Sequence, residues 1–147
     1  MPIRILLVDD FEPWRRMVWS ILQEEPELRI ICEVSDGLAA IQSANELKPD
    51  LILLDLGLPK PDGIDAARKI RKLAPKAKIL FLSQESSPDV VRRALRFGAG
   101  FVVKTDAGKE LLSAIEAVNL NKQYLSSKAA GHTFRETIGA PILTELE

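Results

Sequence analysis

Short apolar runs alternate along this chain with amphipathic stretches. The first run, Ile3 to Val8, ends on Asp9-Asp10. Trp14, Met17, Val18, Ile21 and Leu22 then recur at helical spacing. Leu28 to Val34 reads as a second strand, and Leu38, Ile41 and Leu47 as part of a second helix. Leu51 to Leu54 is a buried-strand run, preceded by Pro49-Asp50 and followed by Asp55. Pro59, Pro61, Asp62 and Gly63 are turn chemistry. Ile64, Ala67 and Ile70 begin a third helix, with Pro75 beyond its end. Ile79 to Leu82 is a fourth strand that stops at Ser83. Val90, Val91, Ala94 and Leu95 mark a fourth helix, closed by Gly98-Ala99-Gly100. Phe101 to Val103 runs into Lys104, and Leu111, Leu112, Ile115 and Val118 mark a fifth helix.

The strand runs are continuous rather than alternating, which implies burial on both faces. Short connections and right-handed crossovers then predict an α/β fold, with one parallel five-stranded sheet and helices on both faces. From Ser126 the pattern decays. Residues 1–125 read as one domain, and residues 126–147 as a linker with at most a marginal helical turn or two around Phe134, Ile138, Ile142 and Leu143.

Charge and composition narrow the function. The chain has 147 residues, 20 basic and 21 acidic, for a net charge of -1. That balance argues against a general nucleic-acid-binding surface. The single cysteine, Cys32, excludes a disulfide framework, and the single histidine, His132, excludes a histidine-rich metal site. No apolar run is long enough to span a bilayer, and Met1-Pro2-Ile3-Arg4 runs straight into a strand, so a cytoplasmic home is expected. One imbalance stands out: Arg68, Lys69, Arg71, Lys72, Lys76 and Lys78, with no acid between Ala66 and Gln84. It reads as a solvated helix face or as a docking surface for an acidic partner.

Sites in parallel sheets form outside the carboxyl ends of the strands. Here those ends are Asp9-Asp10, Asp55, Ser83 and Lys104. Three close carboxylates repel one another unless a cation neutralises them. Oxygen ligands without histidine or cysteine select magnesium, or manganese, over zinc. A cation held this way, with Lys104 and Ser83 beside it, forms a clamp for a transferring phosphoryl group. Asp55, ending the central strand, is the natural nucleophile, forming an acyl phosphate. Nucleotide binding is disfavoured, because Asp9-Asp10-Phe11-Glu12-Pro13 fills the turn where a glycine-rich loop would sit. An aspartyl-phosphate type phosphatase would want a second acid two residues after the nucleophile, where this chain has Gly57.

Leu7-Val8-Asp9-Asp10, Leu53-Leu54-Asp55-Leu56-Gly57-Leu58-Pro59 with Asp62-Gly63, Leu82-Ser83, and Gly98-Ala99-Gly100-Phe101-Val102-Val103-Lys104 occur in order on successive strands. Together they resemble the receiver domain of two-component response regulators, over about Ile3 to Leu125. The resemblance implies a flavodoxin-like sheet of order 2-1-3-4-5. It implies that Asp55 accepts a phosphoryl group from a sensor histidine kinase. It further implies that Asp10 binds magnesium directly and Asp9 largely through water, with the carbonyl of Gly57 as another ligand. Ser83 and Lys104 would contact the phosphoryl oxygens, and Phe101 would be the switch aromatic that moves with Ser83. Any enzymatic activity would be limited to self-phosphorylation from phosphodonors and self-dephosphorylation.

Some positions depart from the family pattern. Gln84 stands where alanine or glycine is usual, and a larger side chain there would crowd the phosphoryl pocket. Glu85 lies two residues beyond Ser83, where it can position a water or simply be solvated. Gln123-Tyr124-Leu125-Ser126 resembles the end of receivers that precede a LuxR-type helix-turn-helix domain. Ile142 to Glu147 resembles the first turn of such an output domain, so the chain is expected to be part of a longer transcriptional regulator and not to bind DNA specifically by itself. Arg92, Arg93 and Arg96, with Lys109, Glu110 and Glu116, offer complementary charges for a homodimer through the fourth helix, fifth strand and fifth helix. Two alternatives stay open: a receiver that has lost phosphorylation and acts as an interaction module, and a small magnesium-dependent phosphohydrolase.

Overall fold

The computed structural model describes residues 2–131. Strands and helices alternate as β1 (Ile3–Val8), α1 (Glu12–Leu22), β2 (Leu28–Val34), α2 (Gly37–Leu47), β3 (Leu51–Asp55), α3 (Gly63–Leu73), β4 (Lys78–Ser83), α4 (Pro88–Leu95), β5 (Gly100–Val103), α5 (Ala107–Asn119) and β6 (Tyr124–Leu125). A 3-10 turn, Lys104–Asp106, joins β5 to α5. All strands pair in parallel in the order β2-β1-β3-β4-β5-β6. The expected five-strand order is present. A sixth strand extends the sheet at the β5 edge; at two residues it is too short to leave a periodic signal in the sequence.

Alternation along the buried strands splits the core in two. Leu6, Val8, Ile52, Leu54, Ile79, Phe81, Phe101 and Val103 face α2, α3 and α4, which contribute Ala40, Ala44, Ala67, Ile70, Val91 and Ala94. Ile5, Leu7, Leu51, Leu53, Leu80, Leu82 and Val102 face α1 and α5, which contribute Trp14, Val18, Leu22, Leu111, Ile115 and Val118. Helix starts are set by local capping. Asp36 accepts from the Ala39 amide at 2.8 Å. Asp62 accepts from the Asp65 amide at 2.9 Å, and Ser87 from that of Val90 at 3.4 Å.

Helix α2 packs through small residues. Gly37, Ala40 and Ala44 are buried, whereas Leu38 is 66% exposed. A Cβ on Gly37 would lie 2.3 Å from the Pro61 carbonyl oxygen, so only glycine lets α2 approach the β3–α3 loop. The basic run on α3 and β4 also acquires internal roles. Arg71 donates to the Ala77 carbonyl at 2.9 Å, and Lys78 to the Asn119 carbonyl at 3.0 Å. Arg68 pairs with Asp65 and lies over the Phe97 ring.

The sequence pattern fades at Ser126, yet the fold continues. Residues 127–131 are helical, and Ser126 and Ala129 are fully buried. Ser126 donates its amide to the Phe101 carbonyl at 2.9 Å, and its hydroxyl accepts the Val103 amide at 2.9 Å. The output-domain reading of Ile142 to Glu147 falls outside the described residues. No described helix is long and apolar enough to cross a membrane.

Candidate functional site

The carboxyl ends of β1, β3, β4 and β5 open on a cleft of about 360 Å³ lined by Asp9, Asp10, Asp55, Gly57, Ser83, Gln84, Glu85 and Lys104, together with Phe11 and Leu56. Asp9, Asp55, Ser83 and Lys104 are there because an apolar strand runs out at or just before each of them. Asp9 is 1% exposed and Asp55 5%, whereas Asp10 points into solvent. Carboxylate oxygens of the three lie within 4.8 Å of one another. This oxygen-only donor set fits a hard divalent cation, to which Asp9, Asp10 and Asp55 could each offer a carboxylate oxygen.

Lys104 crosses the cleft to meet these acids. Its Nζ lies 2.6 Å from Asp9 Oδ2 and 3.5 Å from Asp55 Oδ1. Asp9 Oδ1 also accepts the Phe11 amide at 2.9 Å, which ties the first turn of α1 to the site. Arg15 donates to the Asp9 carbonyl at 2.6 Å, fixing the backbone from the other side.

Asp55 Oδ1 accepts the Gly57 amide at 3.1 Å. Burial pushes the Asp55 carboxyl above its ordinary range, and the nearby Asp9 charge adds to this. The Gly57 amide and Lys104 pull the other way without cancelling it. The carboxylate is therefore held in a place where negative charge is unfavourable even with Lys104 beside it. A divalent ion would relieve that repulsion.

Ser83 Oγ accepts the Glu85 amide at 2.9 Å, which leaves its hydroxyl hydrogen free to donate into the cleft. Gln84 and Glu85 are exposed on the rim. Phe101 is fully buried and stands in register with Phe81 on β4. Of the charges expected to serve a dimer face, Glu110 is already engaged. It accepts the Tyr124 hydroxyl at 2.7 Å and the Ser127 amide at 3.1 Å. Burial of Tyr124 and its bond to the charged Glu110 push the phenol up to about 12.

Two features of the site escape a reading by spacing. The Trp14 ring lies 4.9 Å from Lys104 Nζ, and Trp14 reads in sequence only as an apolar helix position. The segment after β6 bonds to the turn that follows Lys104. Lys128 donates its amide to Asp106 at 2.9 Å and its ammonium to Thr105 at 2.7 Å.

The family model for the response regulator receiver domain matches residues 5–116. The transcriptional regulatory protein LiaR of Bacillus subtilis is 36% identical over 130 residues, covering 88% of this chain and 62% of LiaR. The response regulator protein VraR of Staphylococcus aureus is 37% identical over 116 residues, covering 78% of this chain and 56% of VraR. The chain thus spans about three-fifths of the length of these relatives. A crystal structure of a LuxR-family two-component response regulator from Aurantimonas sp. SI85-9A1 superposes with a TM-score of 0.89 at 29% identity, covering 94% of this chain and 99% of that one. Fold, acidic cluster and sequence agree, and the chain belongs to the response regulator receiver domain family.

Proposed function

We propose that this domain is a phosphorylation-dependent switch. Asp55 accepts a phosphoryl group from the phosphohistidine of a sensor kinase, with magnesium bound nearby. The observation that carries this reading is the convergence of Asp9, Asp10, Asp55 and Lys104 on one rim, with the ammonium already between Asp9 and Asp55. An Asp55 oxygen attacks phosphorus, the N–P bond of the donor breaks, and the imidazole leaves with the electron pair. Asp9, Asp10, Asp55 and the Gly57 carbonyl would hold the ion, which would supply neutralising charge. Manganese would satisfy the same ligands.

In this reading Lys104 and the Ser83 hydroxyl receive the phosphoryl oxygens. Phe101 follows Ser83, so that the β4–α4 loop and β5 report the new dianion. Hydrolysis returns the carboxylate when water attacks phosphorus, with Gln84 and Glu85 flanking its approach. The output is transcriptional in LiaR, by its name, and we extend that to the parent of this domain. Association of two phosphorylated copies through α4, β5 and α5 is part of the proposal, supported by the exposed Arg93 and Arg96 on that side. The domain by itself is expected to lack specific DNA binding.

Incubation with magnesium and a small acyl phosphate should add one phosphoryl group by mass. Asp55→Asn should abolish it. A wild-type chain that binds the cation but never gains the phosphoryl mass would sink the proposal and favour an interaction module. Many turnovers on added phosphate esters would instead indicate a phosphohydrolase.

A further inference from the structure

We propose that Trp14 is a positioning residue for Lys104, its indole face acting as a seat that holds the ammonium over Asp9 and Asp55. The inference rests on the proposed contact between Lys104 and the phosphoryl group.

Lys104 has a long flexible side chain, and aiming its ammonium at one point sacrifices rotamer freedom. Three groups fix it: Asp9 Oδ2 at 2.6 Å, Asp55 Oδ1 at 3.5 Å and the Trp14 ring at 4.9 Å. The ring distance is within the range of about 6 Å in which a cation is drawn to an aromatic face. Trp14 is 9% exposed and the Lys104 side chain 12%, so little water screens the contact.

The two acids cannot do this alone. Both are expected to turn to the divalent ion, and Asp55 to the phosphoryl group. An uncharged ring keeps its hold on the ammonium through those changes, because no ion competes for it. Lys104 can then pivot from Asp9 toward an oxygen on Asp55 without leaving the seat.

Packing by itself does not require an indole here. Among the described residues the Trp14 Nε1 is buried with no hydrogen-bond partner. A phenyl ring would fill most of this core volume without stranding a donor. The gain from the indole lies on its other face, toward the ammonium.

The test uses the full chain and three variants, Trp14→Phe, Trp14→Leu and, for resonance assignment, Lys104→Arg. The ring current of a seated ammonium should move the Lys104 ε-methylene protons upfield in wild type. Trp14→Phe should retain part of that shift, and Trp14→Leu should lose it. The rate of phosphoryl gain from a small acyl phosphate with magnesium should fall on the order of threefold to tenfold in Trp14→Leu. It should stay within about twofold in Trp14→Phe. Ordinary Lys104 shifts in wild type, or a folded Trp14→Leu at the wild-type rate, overturn the proposal. Should Trp14→Leu fail to fold, the wild-type shift and its partial survival in Trp14→Phe decide the matter. A wild-type chain that shows the shift but takes no phosphoryl group refutes the switch reading and leaves the seat standing.

Discussion

Asp55 and its neighbours show how closely single residues are constrained. Gly63 opens α3 directly beneath the Asp55 turn. A Cβ there would lie 2.4 Å from the Asp55 carbonyl oxygen and 2.7 Å from Leu56 Cα. Both are backbone atoms and cannot swing aside. Gly63→Ala should therefore destabilise the fold by about 1–3 kcal/mol, measured by urea unfolding, and displace the acceptor carboxylate. Gln84 is different, because its side chain meets solvent on the cleft rim. In the proposed switch its bulk would stand in the path of water toward phosphorus. Gln84→Ala should lose the phosphoryl group faster, by up to about tenfold, which corresponds to about 1.4 kcal/mol of barrier. The decay of the phosphorylated mass with time measures it, and an unchanged half-life would place Gln84 outside the water's path. The identities at both positions are visible in the sequence. The collision at Gly63 is not, since it depends on where α3 docks.

Among the elements, the segment from β6 onward is the one whose role the pattern of apolar residues hides. Tyr124, Ser126, Ser127 and Lys128 bond to Glu110, Phe101, Val103, Asp106 and Thr105, all in the stretch from β5 to the start of α5. Polar residues here are structural because their partners are polar too. Ser126→Ala would leave the Val103 amide buried and unpaired, and should destabilise by about 1–3 kcal/mol in urea. The Tyr124–Glu110 bond predicts a pH effect. Burial and the bond to Glu110 raise Tyr124 to about 12 in the fold against an ordinary 10, so the native state favours the neutral phenol. That contribution is complete below about pH 10 and is lost as pH rises toward 12. Absorbance titration reads it cleanly, since the chain has one tyrosine. Glu110→Gln should bring the midpoint back toward 10; a midpoint that stays near 12 would assign the shift to burial alone.

For the molecule as a whole, stability and function pull against each other at the acidic rim. The folded state holds the Asp55 proton more tightly than the unfolded chain does. Stability from this group is therefore greatest below the unfolded value near 3.8 and declines as pH rises through the raised folded value. Asp55→Asn removes that charge. Its melting temperature at pH 7 should exceed that of wild type by about 2–6 °C without divalent ions, and the gap should close toward pH 4. Magnesium should raise the wild-type melting temperature and move the variant less. A wild type that outlasts the variant at pH 7 without metal would show that Lys104 fully compensates the burial of Asp55.

The linear order of residues determined the strands, their buried character and the polar group that ends each one. Local burial leaves a local signature, so the sequence alone sets Asp9, Asp10, Asp55, Ser83 and Lys104 on one rim. The parallel sheet follows from the same signature. Tertiary structure decided what meets what. Lys104 reaches Asp9 across 95 positions of sequence because β5 and β1 point the same way from opposite sides of β3 and β4. The Trp14 face, the exposed Leu38 and the buried Ser126 also depend on how helices and the final strand dock. Periodicity reports which side of an element is dry, whereas only the packed fold brings distant side chains within reach of one another.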